Sequence, residues 1–354
     1  MRCLNTRRLN ERKSGELTSC SNSYRKDNVK YKLYKMATIV VLGGCGGMAR
    51  YAVRFFLLEK YRPLISKLII ADLNIKGAQE FTRSLQDDRV ETVRMDVCDN
   101  KALVALLETC EIVANFVGPF YKFASLVMSA AIEANCHYLD IMDDTQPTLD
   151  TLEFDAKMKA IDKIGIVGIG ASPGLTNVLV RHAMNLLDRD SSTDVVISWG
   201  DCFNAERDGR LPPKPPQSWM SWLTEGVYVT YALLKTFYQR MTGRVPMAVS
   251  SHFVEMVRSN VKTWLDGKLS EKPALTPVRG LFFPNLAHTW NAYYVNHPEN
   301  VTLGHAFPNL RSACNLLNLD SSDLNDLKSN IVKPLDEGSM SMATAALLLE
   351  NVEN

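Results

Sequence analysis

Hydrophobic positions along this chain follow two alternating rhythms. Short aliphatic runs at residues 38–42, 67–72, 89–95, 111–116, 137–141 and 164–169 have the length and β-branched content of buried strands. Between them lie stretches with helical spacing at 49–60, 75–85, 100–108, 121–134 and 148–163. Asn74 and Asp99 stand where helix N-caps are expected. Ser172 followed by Pro173 predicts a further cap with a proline at the first helical position. Strands alternating with helices of this length predict an α/β fold with a doubly wound parallel sheet. In such sheets the ligand crevice lies beyond the carboxyl ends of the strands.

From residue 193 the rhythm changes. Strand-like runs at 195–199, 290–295 and 301–303, with a helical segment at 339–349, predict a second, mixed α/β domain. A proline-rich stretch, 210–216, predicts a stiff connecting loop, and 218–240 an aromatic-rich helix. The expected division is a leader over 1–35, a nucleotide-binding domain over 36–190, a substrate and dimerisation domain over 191–335, and a terminal helix over 336–354 that could return to the first domain.

The first strand runs into Gly43-Gly44-Cys45-Gly46-Gly47-Met48-Ala49, and this cluster points to chemistry. Gly44-x-Gly46-x-x-Ala49 fits the dinucleotide-binding fingerprint in its alanine-ending form. Gly44 permits the turn, Gly46 lets a pyrophosphate approach the backbone, and Ala49 lets the helix pack closely on its strand. The helix N-terminus then faces the phosphates. A carboxylate, Asp72, ends the second strand 23 positions after Ala49, where a ribose-binding acid is expected. Asp96, after the third strand, is placed for an adenine-side contact. A carboxylate at Asp72 repels a 2′-phosphate, and no arginine follows in Leu73-Asn74-Ile75-Lys76, so NAD is preferred over NADP.

Composition narrows the remaining classes. Hydrophobic content of 46% and charged content of 22% are those of an ordinary globular protein, and a net charge of +1 gives no case for nucleic-acid binding. Eight cysteines without a CxxC pair read as reduced thiols, and with no apolar run suited to a membrane span this predicts a cytoplasmic protein. The first 35 residues carry ten basic residues against three acids and predict a disordered leader; an organelle transit peptide is the alternative, which would place the protein in a mitochondrion or another organelle. No metal-ligand spacing links the six histidines, so no metal site is expected.

Five segments together resemble the saccharopine dehydrogenase-like oxidoreductases: the glycine cluster through Arg50, Val117-Gly118-Pro119-Phe120, residues 135–144, Gly170-Ala171-Ser172-Pro173-Gly174-Leu175-Thr176-Asn177, and residues 297–303. The resemblance implies a Rossmann domain with an inserted α/β domain, often in a homodimer, and hydride transfer at a C–N bond of an amino-acid-derived amine or imine. It also implies a C-terminal segment reaching beyond Asn354. By position, Gly44, Cys45, Gly46, Gly47, Met48, Ala49, Asp72, Asp96, Gly118 and Pro119 would hold the cofactor. Phe120, Asp143, Ser172, Gly174 and Glu299 would line the substrate crevice, and Asp140, Asp144 and His297 are the candidates for proton transfer. Saccharopine reductases of this kind tend to have Gly-Leu-Asp-Pro-Gly where this chain has Gly170-Ala171-Ser172-Pro173-Gly174, so an acid that could meet a substrate ammonium is missing here. A catalytically silent dinucleotide sensor and a dehydrogenase of another small carbonyl or hydroxyl substrate are the alternative readings.

Overall fold

The structure is a computed structural model that describes residues 36–187, 193–199, 247–258, 260–283, 288–307, 309–319 and 321–352. The leader, the proline-rich stretch at 210–216 and the aromatic segment at 218–240 lie outside these residues. The first sheet contains β1 (Ala37–Leu42), β2 (Ile65–Asp72), β3 (Val90–Arg94), β4 (Ile112–Asn115), β5 (His137–Asp140) and β6 (Gly165–Ile166). All its pairings are parallel, in the order β3-β2-β1-β4-β5-β6. The chain reverses direction of travel between β1 and β4, which makes the crevice at their carboxyl ends the topological switch point.

Alternation along β1 and β2 divides the core in two. Ile39, Val41, Leu68 and Ile70 face α1 (Gly47–Phe56) and α2 (Ile75–Leu85), meeting Ala49, Val53, Ala78 and Phe81. Val40, Leu42, Ile69 and Ala71 face the other side, covered by α3 (Asn100–Leu107) and α4 (Phe120–Glu133). Near-continuous apolar strands follow from burial on both faces. Asn74 and Asp99 cap α2 and α3 as expected, accepting from the Gly77 and Ala102 amides.

Three elements differ from the sequence expectation. The helix expected at 148–163 is two helices, α5 (Thr145–Leu152) and α6 (Asp155–Ala160), separated by a turn. The sixth strand is only two residues long, because the chain leaves the sheet at Val167 to form the loop that the Asp140 carboxylate gathers. α7 (Leu175–Met184) starts two residues later than the Ser-Pro pair predicts, with Gly174 rather than Ser172 as N-cap. Gly174 has φ of +121°, and a Cβ there would lie 2.4 Å from the Gly170 carbonyl oxygen, so the turn into the helix needs a residue without a side chain.

The second sheet is mixed. β7 (Thr193–Trp199) runs parallel to β12 (Leu310–Asn318), while β8 (Asn260–Leu265), β9 (Lys268–Pro273), β10 (Pro277–Phe283) and β11 (His288–Val295) join antiparallel in the order β10-β11-β12-β8-β9. α8 (Met247–Met256), α9 (Glu299–Ala306), α10 (Ser321–Leu327), α11 (Lys333–Asp336) and α12 (Met342–Val352) surround it. Residues 301–303, strand-like in composition, belong to α9; Pro298 supplies a ready helical φ at its N-cap, and packing of Leu303 and Phe307 against Trp264 overrides local preference. Gly304 lets that helix lie on the Trp264 ring, since a Cβ would fall 2.2 Å from it. α12 packs on α8, with Ala345 in the core of the second sheet, instead of returning to the first domain. The described residues from Ala37 onward cluster as one compact unit. No helix among the described residues is long and apolar enough to cross a membrane.

Gly43 closes β1 with φ of +66°, and a Cβ there would meet the Phe116 carbonyl oxygen at 2.9 Å. Gly43→Ala is therefore expected to lower unfolding free energy by about 2 kcal/mol, from positive φ and overlap with backbone together. Urea denaturation of the two proteins measures it.

Candidate functional site

The glycine loop is held from behind by the second strand. The Gly43 amide donates to the Ala71 carbonyl at 2.9 Å, and the Gly46 amide to the Gly43 carbonyl at 2.9 Å. Asp72 closes the loop: its Oδ2 accepts from the Cys45 amide at 3.1 Å and its Oδ1 from the Asn74 amide at 2.8 Å. Burial and the neighbouring Asp72 carboxylate push the Cys45 thiol up to about 12, so it is an inert neutral group in the loop.

α1 begins at Gly47 with no side-chain cap and no acid in its first turn. Its first helical hydrogen bond is Arg50 N–H to the Gly46 carbonyl, so the amides of Gly47, Met48 and Ala49 precede any helical partner. A Cβ at Gly47 would meet nothing within 4 Å. Free amides at the positive end of a helix, beside an open face, fit a pyrophosphate. Gly44, Cys45, Gly46, Gly47, Met48, Ala49 and Asp72 thus lie together at the carboxyl ends of β1 and β2. Asp96 sits at the end of β3, where its Oδ1 accepts from the Cys98 amide at 3.0 Å.

One cationic residue at this end went unread in the sequence. Arg94 ends β3 and is the register partner of Asp72 on the adjacent strand. Two positions before it, Thr92 bonds Thr82 of α2, and two before Asp72, Ile70 packs among α1 and α2 residues, so Arg94 and Asp72 share the face that carries α1 and α2. Arg94 is exposed. Local sequence around Asp72 could not disclose it, because the two residues meet only through strand pairing.

The carboxyl ends of β4 and β5 carry the second group. Gly118, Pro119 and Phe120 lead into α4, with Pro119 as its N-cap. Asp140 is only 2% exposed and fully engaged: Oδ1 accepts from the amides of Gly168 at 2.7 Å and Met142 at 3.1 Å, and Oδ2 from the Tyr138 hydroxyl at 2.8 Å. Burial raises its pKa, against the pull of those donors. Its bonds make it a clamp between β5 and the following loop.

Asp143 and Asp144 follow and line a cavity of about 260 Å³ with Tyr121, Thr145, His252 and Glu255. His252 comes from α8 of the second domain; its Nδ1 lies 2.9 Å from Asp144 Oδ1 and 3.5 Å from Asp143 Oδ1. Burial pulls the imidazole down, but the Asp144 hydrogen bond and the surrounding carboxylates hold it above its ordinary pKa. Burial pushes the Asp143 carboxyl up, with Asp144 adding to it and His252 opposing. Nothing in the local sequence marks His252, which lies 108 residues from Asp144.

Behind the cavity lies a buried junction. Glu299, 0% exposed at the start of α9, accepts through Oε1 from the Ser172 hydroxyl and from the Thr176 hydroxyl at 2.7 Å, and through Oε2 bonds His297 Nδ1. Burial alone would raise its pKa; the hydrogen bonds from His297, Ser172 and Thr176 hold it below the usual carboxylate range. His297 is 1% exposed and packs between the Trp199 ring, at 5.1 Å, and the His252 ring, at 5.8 Å. Of the residues read as substrate contacts, Asp143 lines the cavity, whereas Ser172 and Glu299 spend their polar atoms on each other and Gly174 on the helix turn. Among the acid–base candidates Asp144 reaches the cavity, while Asp140 and His297 lie buried behind hydrogen bonds.

With this geometry in view, the comparisons are informative. Residues 39–189 match the family model described as the saccharopine dehydrogenase NADP binding domain. Residues 39–189 are thus similar to the nicotinamide-nucleotide-binding domain of that family. The apo saccharopine dehydrogenase (L-Glu forming) of Saccharomyces cerevisiae is similar in fold, with a TM-score of 0.51 and 16% identity over 80% of this chain. The matched region spans 55% of the yeast enzyme's length. More distant are DesIV, a dTDP-glucose 4,6-dehydratase of Streptomyces venezuelae solved with NAD and TYD bound (TM-score 0.25, 19% identity, 29% of this chain and 38% of that one), and WbmG of Bordetella bronchiseptica in complex with NAD (TM-score 0.25, 15% identity, 31% and 38%). The family description names NADP, against the preference for NAD read from Asp72. Both Asp72 oxygens accept from backbone amides, and its register partner on β3, Arg94, places an exposed cation at the same end of the sheet.

The junction can be tested directly. Glu299→Ala leaves His297, Ser172 and Thr176 unpartnered, and is expected to lower unfolding free energy by about 3 kcal/mol, with Glu299→Gln losing less. Ser172→Asp sets a second carboxylate against the buried Glu299 and is expected to destabilise by about as much. Guanidinium melts of the three variants provide the measurement.

Proposed function

We propose that this protein is a nicotinamide-dependent oxidoreductase that transfers hydride at a C–N bond of an amino-acid-derived amine or imine, with NADP as its cofactor. The observation that carries the substrate class is the acidic cavity beyond β5: Asp143, Asp144 and Glu255 line it, and none of the described residues that line it is lysine or arginine. Three carboxylates around a small cavity favour a protonated amine and repel a carboxylate-only ligand.

The amides of Gly47, Met48 and Ala49 would hold the pyrophosphate, and Arg94 would meet the 2′-phosphate with a charge-assisted pair. The bound nicotinamide supplies the hydride chemistry. The chain's own contribution is orientation. Gly118 and Pro119 shape the crevice floor at the switch point, and Asp143 and Asp144 place the amine against it. Asp144 is the carboxylate placed to exchange a proton with a ligand in the cavity.

Titration of the full chain with NADPH and NADH, followed by reduced-nicotinamide fluorescence, tests the cofactor assignment. Tighter binding of NADPH is expected, and Arg94→Ala should weaken it by about 10- to 100-fold while leaving NADH little changed. Equal binding of the two nucleotides would overturn the role of Arg94. Oxidation of lysine, saccharopine and related amines with NADP then tests the substrate class; cofactor binding without turnover of any amine would leave a nucleotide-binding module.

A further inference from the structure

The cavity at the end of β5 gathers two carboxylates and an imidazole. One oxygen each from Asp143 and Asp144 and one ring nitrogen from His252 all lie within 4.8 Å of one another. Two residues of the cavity lining also carry a buried oxygen without a partner. Thr145, 4% exposed, has an Oγ1 with no hydrogen-bond partner, and Asn296 has a buried Oδ1 with none; both residues line the cavity. A buried oxygen left unpaired costs about 1–3 kcal/mol unless a ligand or water meets it. The cluster itself presents three donor atoms of carboxylate and imidazole type close together, and none of the described lining residues is a lysine or arginine that would neutralise them.

We infer that this cluster binds a divalent metal cation of the zinc or cobalt class, with Asp143, Asp144 and His252 as its protein ligands. Imidazole with carboxylates is a donor set that suits such ions, whereas Mg²⁺ and Ca²⁺ prefer all-oxygen shells. The spacing agrees. Ligands about 2.0–2.2 Å from zinc in a tetrahedron lie roughly 3.4 Å apart, and the His252 to Asp143 separation is 3.5 Å. Asp144, at 2.9 Å, needs to open by only about half an ångström to match that same edge. Loading displaces the proton that His252 Nδ1 shares with Asp144 and releases it to solvent, so bonds made to the metal replace one hydrogen bond. This is a claim about binding and stands apart from hydride transfer: the cation could be held whether or not an amine is the substrate.

The test uses the full, untagged chain with Co²⁺ and Zn²⁺. One equivalent of Co²⁺ should bind with visible d–d absorption, displace on adding Zn²⁺, and produce a paramagnetically shifted histidine ring resonance in the proton spectrum. His252→Ala and Asp144→Asn should each weaken Co²⁺ binding by at least about tenfold. Circular dichroism establishes that the variants are folded; should either fail to fold, the shifted histidine resonance of the unsubstituted protein decides the matter. Absence of that resonance, or Co²⁺ binding unchanged in a folded His252→Ala protein, overturns the proposal. So does a folded, unsubstituted protein that binds neither ion. Failure of NADPH binding or of amine turnover leaves the metal result unaffected, so the two proposals fail separately.

Discussion

The candidate site depends on one buried carboxylate. Glu299 stands at the first turn of α9 in the second domain, yet two of its three partners, Ser172 and Thr176, belong to the loop and helix that end the first domain. The third, His297, is thereby held with its ring between Trp199 and His252. A carboxylate removed from water is stable only with its oxygens paired, and here every partner comes from a different structural context. Pairing it fixes the second sheet against the first, and with it the position of α8, whose His252 completes the cavity with Asp143 and Asp144. Orientation of the cavity is thus a consequence of satisfying a charge that lies outside it.

The same logic accounts for the departure at Ser172. Where the family resemblance leads one to expect an acid, this chain has a hydroxyl that donates to Glu299. An aspartate at that point would bring two carboxylates together in a buried junction, so the serine matches the glutamate that faces it. A position that reads as a lost substrate contact in the sequence is a structural partner in the fold. Asp140 shows a parallel case: a strand-end acid that resembles a proton donor by position spends both oxygens on Tyr138, Met142 and Gly168. Buried polar residues near a crevice divide into those that touch its contents and those that build its walls, and hydrogen-bond completeness separates the two.

Two surfaces of the first sheet carry different burdens. At the adenosine end, Asp72 ties the glycine loop to β2 and Arg94 stands beside it on β3, so the loop's shape and the local charge are set by separate residues. At the β5 end, acids dominate and the nearest compensating group is an imidazole from the other domain. A long nucleotide bound across the switch point would therefore meet positive charge where phosphates lie, and its reactive end would meet negative charge.

What the sequence determined by itself was whatever depends on near neighbours. The order of strands and helices in the first domain, the glycine loop, the caps at Asn74 and Asp99 and the acid at Asp72 rest on periodicity and spacing within about 30 residues, and all are where the pattern places them. Tertiary structure decided the rest. Residues 301–303 form a helix because Trp264 and the β12 core receive them as one, and α7 starts at Gly174 because the turn demands φ of +121°. Arg94 meets Asp72 through strand register, and His252 meets Asp144 across 108 residues and two domains. Local propensities amount to a fraction of a kcal/mol per residue, whereas packing and the pairing of buried charge amount to several. Wherever the two disagree, distant partners prevail, and those partners leave no mark in the local sequence.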